Sequence, residues 1–459
     1  MLNHVKVNKK LTRKYNVAGP RYTSYPTVPY WSEDIFSSSE YIQRLKNQFE
    51  SSNKKGNAVY MHLPFCESLC TFCGCNKRIT KNHSVEMPYL NAMMKEWKMY
   101  LDIFGEKPKI NALHLGGGTP TFFSPSNLKN FLSDWFNTVD ISENPEFSFE
   151  GHPNNTTKDH LQVLFDIGFR RVSYGVQDLD LTVQTAINRI QPFKNVVDAI
   201  ENARNIGYTS VNVDLVYGLP FQKLEHVEET ISKISELKPD RIAFYSYAHV
   251  PWIKGNGQRK FSEEDLPEPG VKREMYEYGK QLLLENGYVE IGMDHFALPE
   301  DELAIALNNK TLFRNFMGYT VNKSKNMIGL GVSSISDCWT GFAQNEKSIE
   351  KYYKKLENNE FPLMRGHLLS SEDLTIRKII LDIMCHFNHD WVEEDFVTIQ
   401  FSLMLNRLKP LADDNLIKIT EMGIKVTEKG RPFVRNVCMA FDLRLLRKQP
   451  KVSLFSSTI

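Results

Sequence analysis

Four cysteines, Cys66, Cys70, Cys73 and Cys75, fall within one short stretch, YMHLPFCESLCTFCGCNKR, from Tyr60 to Arg78. The other three, Cys338, Cys385 and Cys438, lie far downstream and far from one another. Thiols at the spacing C-x3-C-x2-C-x-C ask for a metal or redox role, because thiolates on one loop can converge on a single inorganic centre. Two centres compete. A structural zinc site takes four closed nitrogen or sulfur ligands, usually as paired knuckles, and no second knuckle follows. An iron–sulfur cubane also takes four cysteines as a rule. If Cys66, Cys70 and Cys73 bind three irons, the fourth stays open for a small molecule, and an open iron is what chemistry needs. Cys75, only two residues from Cys73, would close that position through a tight local loop and is read as a non-ligand. A disulfide fits poorly. The N-terminus MLNHVKVNKKLTRKYN is basic and polar, reads as neither secretory signal nor membrane anchor, and implies a reducing compartment.

The cysteines follow an apolar run, Ala58–Leu63, that reads as a buried strand. From there a unit repeats: short strand, loop, amphipathic helix. Six strands are predicted, at Ala58–Leu63, Ala112–Leu115, Glu146–Glu150, Arg171–Gln177, Val211–Val216 and Arg241–Tyr247. Helical patterns fall between them, at Tyr89–Ile103, Leu128–Asn137, Lys158–Ile167, Asn195–Ile206 and Val227–Leu237. This alternation predicts a parallel sheet, and six units predict an open, partial (β/α)6 barrel of the α/β class. Active sites of such sheets lie at the carboxyl ends of the strands. Candidate residues gather there. Gly116, Gly117 and Gly118, followed by Thr119, come after the second strand, and a glycine run lets backbone amides approach a ligand closely. Glu150 ends the third strand. Gln177 ends the fourth, and Arg189 follows. Asp214 sits in the apolar run VNVDLVYGL, where a carboxylate is costly unless paired, with Arg189 a possible partner. His62 reads as packing a strand end.

The 459 residues have room for two domains or one large domain with appendages. A hydrophobic fraction of 41% and a charged fraction of 24% are those of an ordinary soluble globular protein. A net charge of +1 steers the chain to neither nucleic acid nor membrane. No apolar run approaches the length of a span, and the expected place is the cytoplasm. Four regions are expected: an N-terminal extension over the active site at 1–50, the barrel at 51–260, an irregular segment at 261–365, and a mostly α C-terminal domain at 366–459. The extension, rich in breakers and in aromatics (Tyr22, Tyr25, Tyr30, Trp31), reads as an irregular strap on the domain surface. The C-terminal domain reads as helices with a hairpin at Ile417–Val426, a winged-helix-like pattern without the basic patch of a DNA binder. Cys385 and Cys438 read as buried small hydrophobes.

C-x3-C-x2-C, with Phe72 before the third cysteine and GGGTPT after the second strand, resembles the cluster loop and glycine motif of the radical S-adenosylmethionine (SAM) enzymes. PRYTSYPT, GMDHFALPEDELAIA and FRNFMGYT further resemble the oxygen-independent coproporphyrinogen III oxidase family, and that likeness covers nearly the whole chain. The resemblance implies a [4Fe-4S] cluster on Cys66, Cys70 and Cys73, with one or two SAM molecules. It places Tyr60, Phe72, Cys75, Gly117, Gly118, Thr119, Glu150, Gln177, Arg189, Asp214 and Ala248 at SAM, with Arg189 near its carboxylate, and Ile335 beside a second SAM. It implies the conversion of two propionates of coproporphyrinogen III to vinyl groups in haem biosynthesis, by a monomer served by an external reductant such as flavodoxin or ferredoxin. Arg21 is a candidate partner for a substrate carboxylate, or a plain surface arginine. Two departures occur. The family pattern reads HRNFQGYT, whereas here Phe313 replaces the histidine and Met317 the glutamine associated with the second SAM. A radical SAM haem chaperone without oxidase activity is the alternative, and Cys75 and the PRYTSYPT extension weigh against it.

Overall fold

A parallel sheet is buried on both faces, so its strands read as near-continuous apolar runs. In a computed structural model of the chain, the six strands are β1 (Asn57–Leu63), β2 (Lys109–Gly117), β3 (Asp140–Gly151), β4 (Arg171–Gln177), β5 (Ser210–Tyr217) and β6 (Arg241–Ser246); β1 comes nearest to such a run, and β4 and β5 alternate buried and half-buried residues over most of their length. They pair in parallel in chain order. The structure describes residues 9–251, 257–258, 260–398, 400–447, 455 and 458. Residues 1–8, part of the N-terminal stretch read above, and most of the final segment from 448 lie outside them. β3 begins at Asp140 rather than Glu146 because its first residues are largely exposed and polar, and so invisible as a strand.

The sheet is larger than predicted. The segment expected to be irregular supplies six more strands: β7 (Val289–Gly292), β8 (His295–Ala297), β9 (Met327–Leu330), β10 (Ile335–Asp337), β11 (Gly341–Asn345) and β12 (Leu363–Leu368). The spatial order is β12-β11-β10-β9-β1-β2-β3-β4-β5-β6-β8-β7. β9 lies parallel to β1, and the added strands beyond it and beyond β6 are antiparallel. The sheet stays open, a partial barrel as expected. These strands escaped the sequence because most span only three to five residues, too few to show a period. The run GLGVSSIS is the end of β9, a turn with Gly331 at φ 91°, and the start of β10. Glu96 holds that turn from below: its carboxylate accepts from the amide N–H of Gly331 at 2.8 Å, from Asn345 Nδ2 at 2.6 Å and from the Tyr352 hydroxyl at 2.6 Å.

The strap is not irregular throughout, since Lys9–Tyr15 is a short helix. One face of it, with Tyr22 and Tyr25, packs into the core of the C-terminal region beside Ile376, Ile380 and Phe441. Farther on, Trp31 stacks on Phe342 of β11 at 5.1 Å, and Ser32 bridges to Gly366 of β12. The helix Ser38–Ser52 follows, capped by Ser37, which accepts from the amide of Glu40. Its stripe of Tyr41, Leu45 and Phe49 belongs to the main core. In the C-terminal region, the predicted hairpin gains a third strand, Asn388–Asp390, and packs with Ser371–His386 and Val434–Phe441. No described helix is long and apolar enough to cross a membrane.

Candidate cofactor site at the carboxyl end of the sheet

The cysteine loop leaves the carboxyl end of β1 and is closed at its neck. Phe65–Cys66 pairs with Arg78–Ile79, and the Thr80 amide donates to the Cys66 carbonyl at 2.9 Å. Its far side is fastened to the turn that carries Arg189. Thr71 donates its amide to Ile187 and its hydroxyl to Ala186, and Asn188 Nδ2 donates to the Leu69 carbonyl at 2.8 Å. Arg189 therefore stands against the loop, with Nη1 3.5 Å from Cys70 Sγ and Nη2 donating to the Gly175 carbonyl at 2.5 Å. A methyl group on Gly175 would lie 2.5 Å from Gln177 Nε2 and 3.0 Å from Arg189 Nη2, so the absence of a side chain there makes room for both. Gln177 itself adopts φ 71°, an uncommon conformation for a residue with a Cβ.

The glycine run ends β2. Gly117 at φ 113° lies over His62, and a Cβ on Gly118 would press within 2.6 Å of the Pro64 backbone. The Gly117 amide donates to Glu150 Oε2 at 3.1 Å, and His114 Nε2 stands 3.6 Å from Glu150 Oε1. Burial opposes ionisation of Glu150, but His114 and the Gly117 amide outweigh it and hold the carboxyl below its usual range. Asp214 differs. Burial, then the charge of Glu150, push it up to about 7. The expected ion pair with Arg189 does not form: Ser173 Oγ at 3.3 Å and Asn212 Nδ2 at 3.2 Å hold Asp214, because the cysteine loop has claimed Arg189.

These residues border one cavity of about 420 Å3. Its lining holds Cys66, Cys70, Phe72, Cys73, Cys75, Gly117, Gly118, Thr119, Glu150, Gln177, Arg189 and Asp214. Tyr60 and Ile335 line a neighbouring cavity of about 710 Å3, which shares Cys75, Lys77, Gly117 and Glu150 with the first. Met317 lines this second cavity too. Ala248 borders neither, but Gln258 Nε2 bonds both its carbonyl and that of Phe72, tying it to the cysteine loop. Arg21 stands apart, its guanidinium held by Asp294 at 2.8 Å and by the Ser246 carbonyl at 3.3 Å. His62 packs the strand end as expected, between the Tyr60 hydroxyl and the Asn76 carbonyl. Sequence reasoning passed over Lys77, His114 and Gln258. Only Lys77, a cation two residues past Cys75, carried a readable signal.

The donor set suits an iron–sulfur centre. Cys66, Cys70 and Cys73 are half-buried and Cys75 is exposed. Cys73 is drawn down to about 6, first by a hydrogen bond from Cys75 and further by Lys77, while burial pushes Cys66 up to about 11 against the Thr119 hydroxyl. Lys77 Nζ donates to the carbonyls of Cys73 and Cys75. Cations beside thiols favour the thiolates that ligate iron. Among the described residues no three His, Cys, Asp or Glu side chains stand close enough to share one ion. The thiols border a cavity rather than meet at a point, a disposition suited to a centre of several irons. For a SAM molecule, Glu150 offers a carboxylate to its ammonium group. Arg189, whose buried Nε has no hydrogen-bond partner among the described residues, offers a guanidinium to its carboxylate.

Comparison with known proteins agrees with this geometry. The family model of the radical SAM superfamily matches residues 60–234. The oxygen-independent coproporphyrinogen III oxidase of Salmonella typhimurium is 38% identical over 454 residues, 98% of each chain. That of Helicobacter pylori strain J99 is 39% identical over 94% of this chain and 95% of its own. The solved structure of coproporphyrinogen III oxidase from Escherichia coli, a radical SAM enzyme, matches with a TM-score of 0.88 at 35% identity, covering 96% of this chain and all of that one. With such identity over nearly its full length, a shared partial barrel and the cysteine loop at its mouth, the chain belongs to the oxygen-independent coproporphyrinogen III oxidase family.

Proposed function

We propose that the protein converts coproporphyrinogen III to protoporphyrinogen IX without oxygen, by oxidative decarboxylation of two propionates to vinyl groups in haem biosynthesis. The observation that carries the reading is the single cavity bordered by the three cysteines, the glycine run, Glu150, Gln177, Arg189 and Asp214, in a chain of that family. Cys66, Cys70 and Cys73 would hold a [4Fe-4S] cluster, and the other lining residues would hold SAM. When bound, the reduced cluster and SAM supply removal of a hydrogen atom from an unactivated carbon, chemistry that no side chain here offers. The chain's own residues bind, orient and exclude water. Glu150, which accepts from the Gly117 amide, would take the ammonium end of a zwitterionic ligand and Arg189 the carboxylate end, while Gln177 and Asp214 meet its polar groups. The adjoining 710 Å3 cavity takes the tetrapyrrole or a second SAM, and the strap supplies Val28 to its wall. Each round releases CO2 and one electron beyond the abstracted hydrogen, so an electron acceptor is required along with a reductant such as flavodoxin or ferredoxin. A cytoplasmic monomer is part of the same proposal.

An anaerobic assay with reconstituted protein, SAM, a reductant and coproporphyrinogen III tests it, with porphyrins read by chromatography after oxidation. Protoporphyrin, with 5′-deoxyadenosine formed in step, is the expected result. SAM cleavage without any vinyl product would reject the oxidase and favour the haem-chaperone branch.

A further inference from the structure

Several buried or half-buried arginines already have a carboxylate. Arg21 pairs with Asp294, Arg171 with Glu146, Arg241 with Asp301 and Arg377 with Asp337. Three cations bordering the 710 Å3 cavity, Lys77, Lys347 and Arg365, have no carboxylate partner among the described residues; Lys77 is committed to the carbonyls of Cys73 and Cys75, which leaves the other two. Arg365, half-buried on β12, donates Nε to Gln344 Oε1 at 2.9 Å, and Gln344 Nε2 in turn donates to the Ser333 carbonyl at 3.1 Å. The guanidinium is thus positioned, yet Nη1 and Nη2 have no protein partner among the described residues. Lys347 stands exposed at the rim just after β11, and its backbone carbonyl accepts from Asn76 Nδ2 of the cysteine loop at 3.0 Å. Among the described residues no carboxylate lies within 4.0 Å of either cation. Glu33 of the strap is the acidic charge felt by both.

A positioned guanidinium with a free fork suits a bidentate carboxylate, and a nearby ammonium adds a second donor. The cavity's size falls within the roughly 300–1,000 Å3 of small-molecule sites. Its other wall is the one shared with the cofactor cavity, Cys75, Lys77, Gly117 and Glu150. A ligand anchored at Arg365 and Lys347 therefore reaches toward the place where the chemistry is proposed.

The geometry points to Arg365 and Lys347 as a carboxylate grip that anchors the occupant of the larger cavity, in the proposed reaction a propionate of the tetrapyrrole. This rests on the proposed function for its substrate. The same chemistry would suit the amino-acid carboxylate of a second SAM, since Ile335 and Met317 line the same cavity.

The test uses reconstituted protein as wild type, Arg365→Ala, Lys347→Ala, the double variant, and Arg365→Lys as a conservative control, each checked for iron content and melting temperature. Coproporphyrin III affinity is read by fluorescence titration, with its tetramethyl ester as the uncharged control, and bound SAM by equilibrium dialysis with labelled SAM. The double variant is expected to lose about 10–100-fold in coproporphyrin III affinity, the scale of a charge-assisted hydrogen-bonded contact. Ester binding should be unchanged, and KM should rise far more than kcat falls. Arg365→Lys should recover part of the loss. Loss of a SAM equivalent with porphyrin affinity intact would uphold the grip and assign it to SAM. Unchanged affinity for both ligands would overturn it. If wild type makes no vinyl product while its porphyrin affinity still depends on these cations, the reaction fails and the grip stands.

Discussion

The cysteines of the loop and the cysteines of the core are the same side chain in opposite surroundings. Cys66, Cys70 and Cys73 are half-buried at the mouth of the sheet, within reach of Lys77, Arg189 and Thr119. Cys338, Cys385 and Cys438 are fully buried among apolar side chains. There, burial pushes Cys338 and Cys385 up to about 12 and Cys438 higher still. A thiol in the core stays protonated and packs, whereas a hydrogen bond from Cys75 and the nearby Lys77 favour the thiolate at Cys73, even as burial raises Cys66 to about 11. Chemistry at this site comes from the neighbours that the fold brings to the loop.

The largest effect should come from the loop. Replacing Cys66, Cys70 or Cys73 with alanine should remove the cluster and lower turnover at least about 1,000-fold, whereas Cys75→Ala should keep its iron; iron and sulfide analysis beside turnover checks this. Next, Arg189→Ala should weaken SAM binding by roughly 10–100-fold with the cluster intact, because a charge-assisted carboxylate contact is lost. Equilibrium dialysis reads it. Asp214 supplies a pH test. Its folded pKa, about 7, lies above the ordinary carboxylate value, so the folded chain holds that proton more tightly and loses stability as pH rises from about 4 through 7. Asp214→Asn should remove this loss, and its melting temperature should gain on wild type by a few degrees between pH 5 and pH 8. The smallest effect on chemistry belongs to the core. Cys438→Ala should cost about 1–2 kcal/mol of stability and leave turnover unchanged. A drop in turnover without a drop in stability would break the contrast between the two regions.

How much of this was legible follows from physics. The six parallel strands showed because short stretches rich in apolar residues alternate with helical patterns, and the cysteine spacing showed because all four thiols sit on one loop. β7 to β12 did not show, being short and rich in glycine and serine. The helix Lys9–Tyr15 escaped because KKLTRKY has only two apolar anchors, Leu11 and Tyr15. The possible pair of Asp214 and Arg189 shows the limit more sharply. Both residues line one cavity, but which groups touch depends on how the cysteine loop grips the turn before Arg189, a contact about 119 positions apart in sequence.

The most direct test of the account is the electron paramagnetic resonance spectrum of the reduced, reconstituted protein before and after saturating SAM. Three cysteine ligands at an open cavity predict a [4Fe-4S] signal that changes when SAM is added, in wild type and in Cys75→Ala alike. A signal indifferent to SAM, or a protein that takes up zinc and no iron, would contradict it.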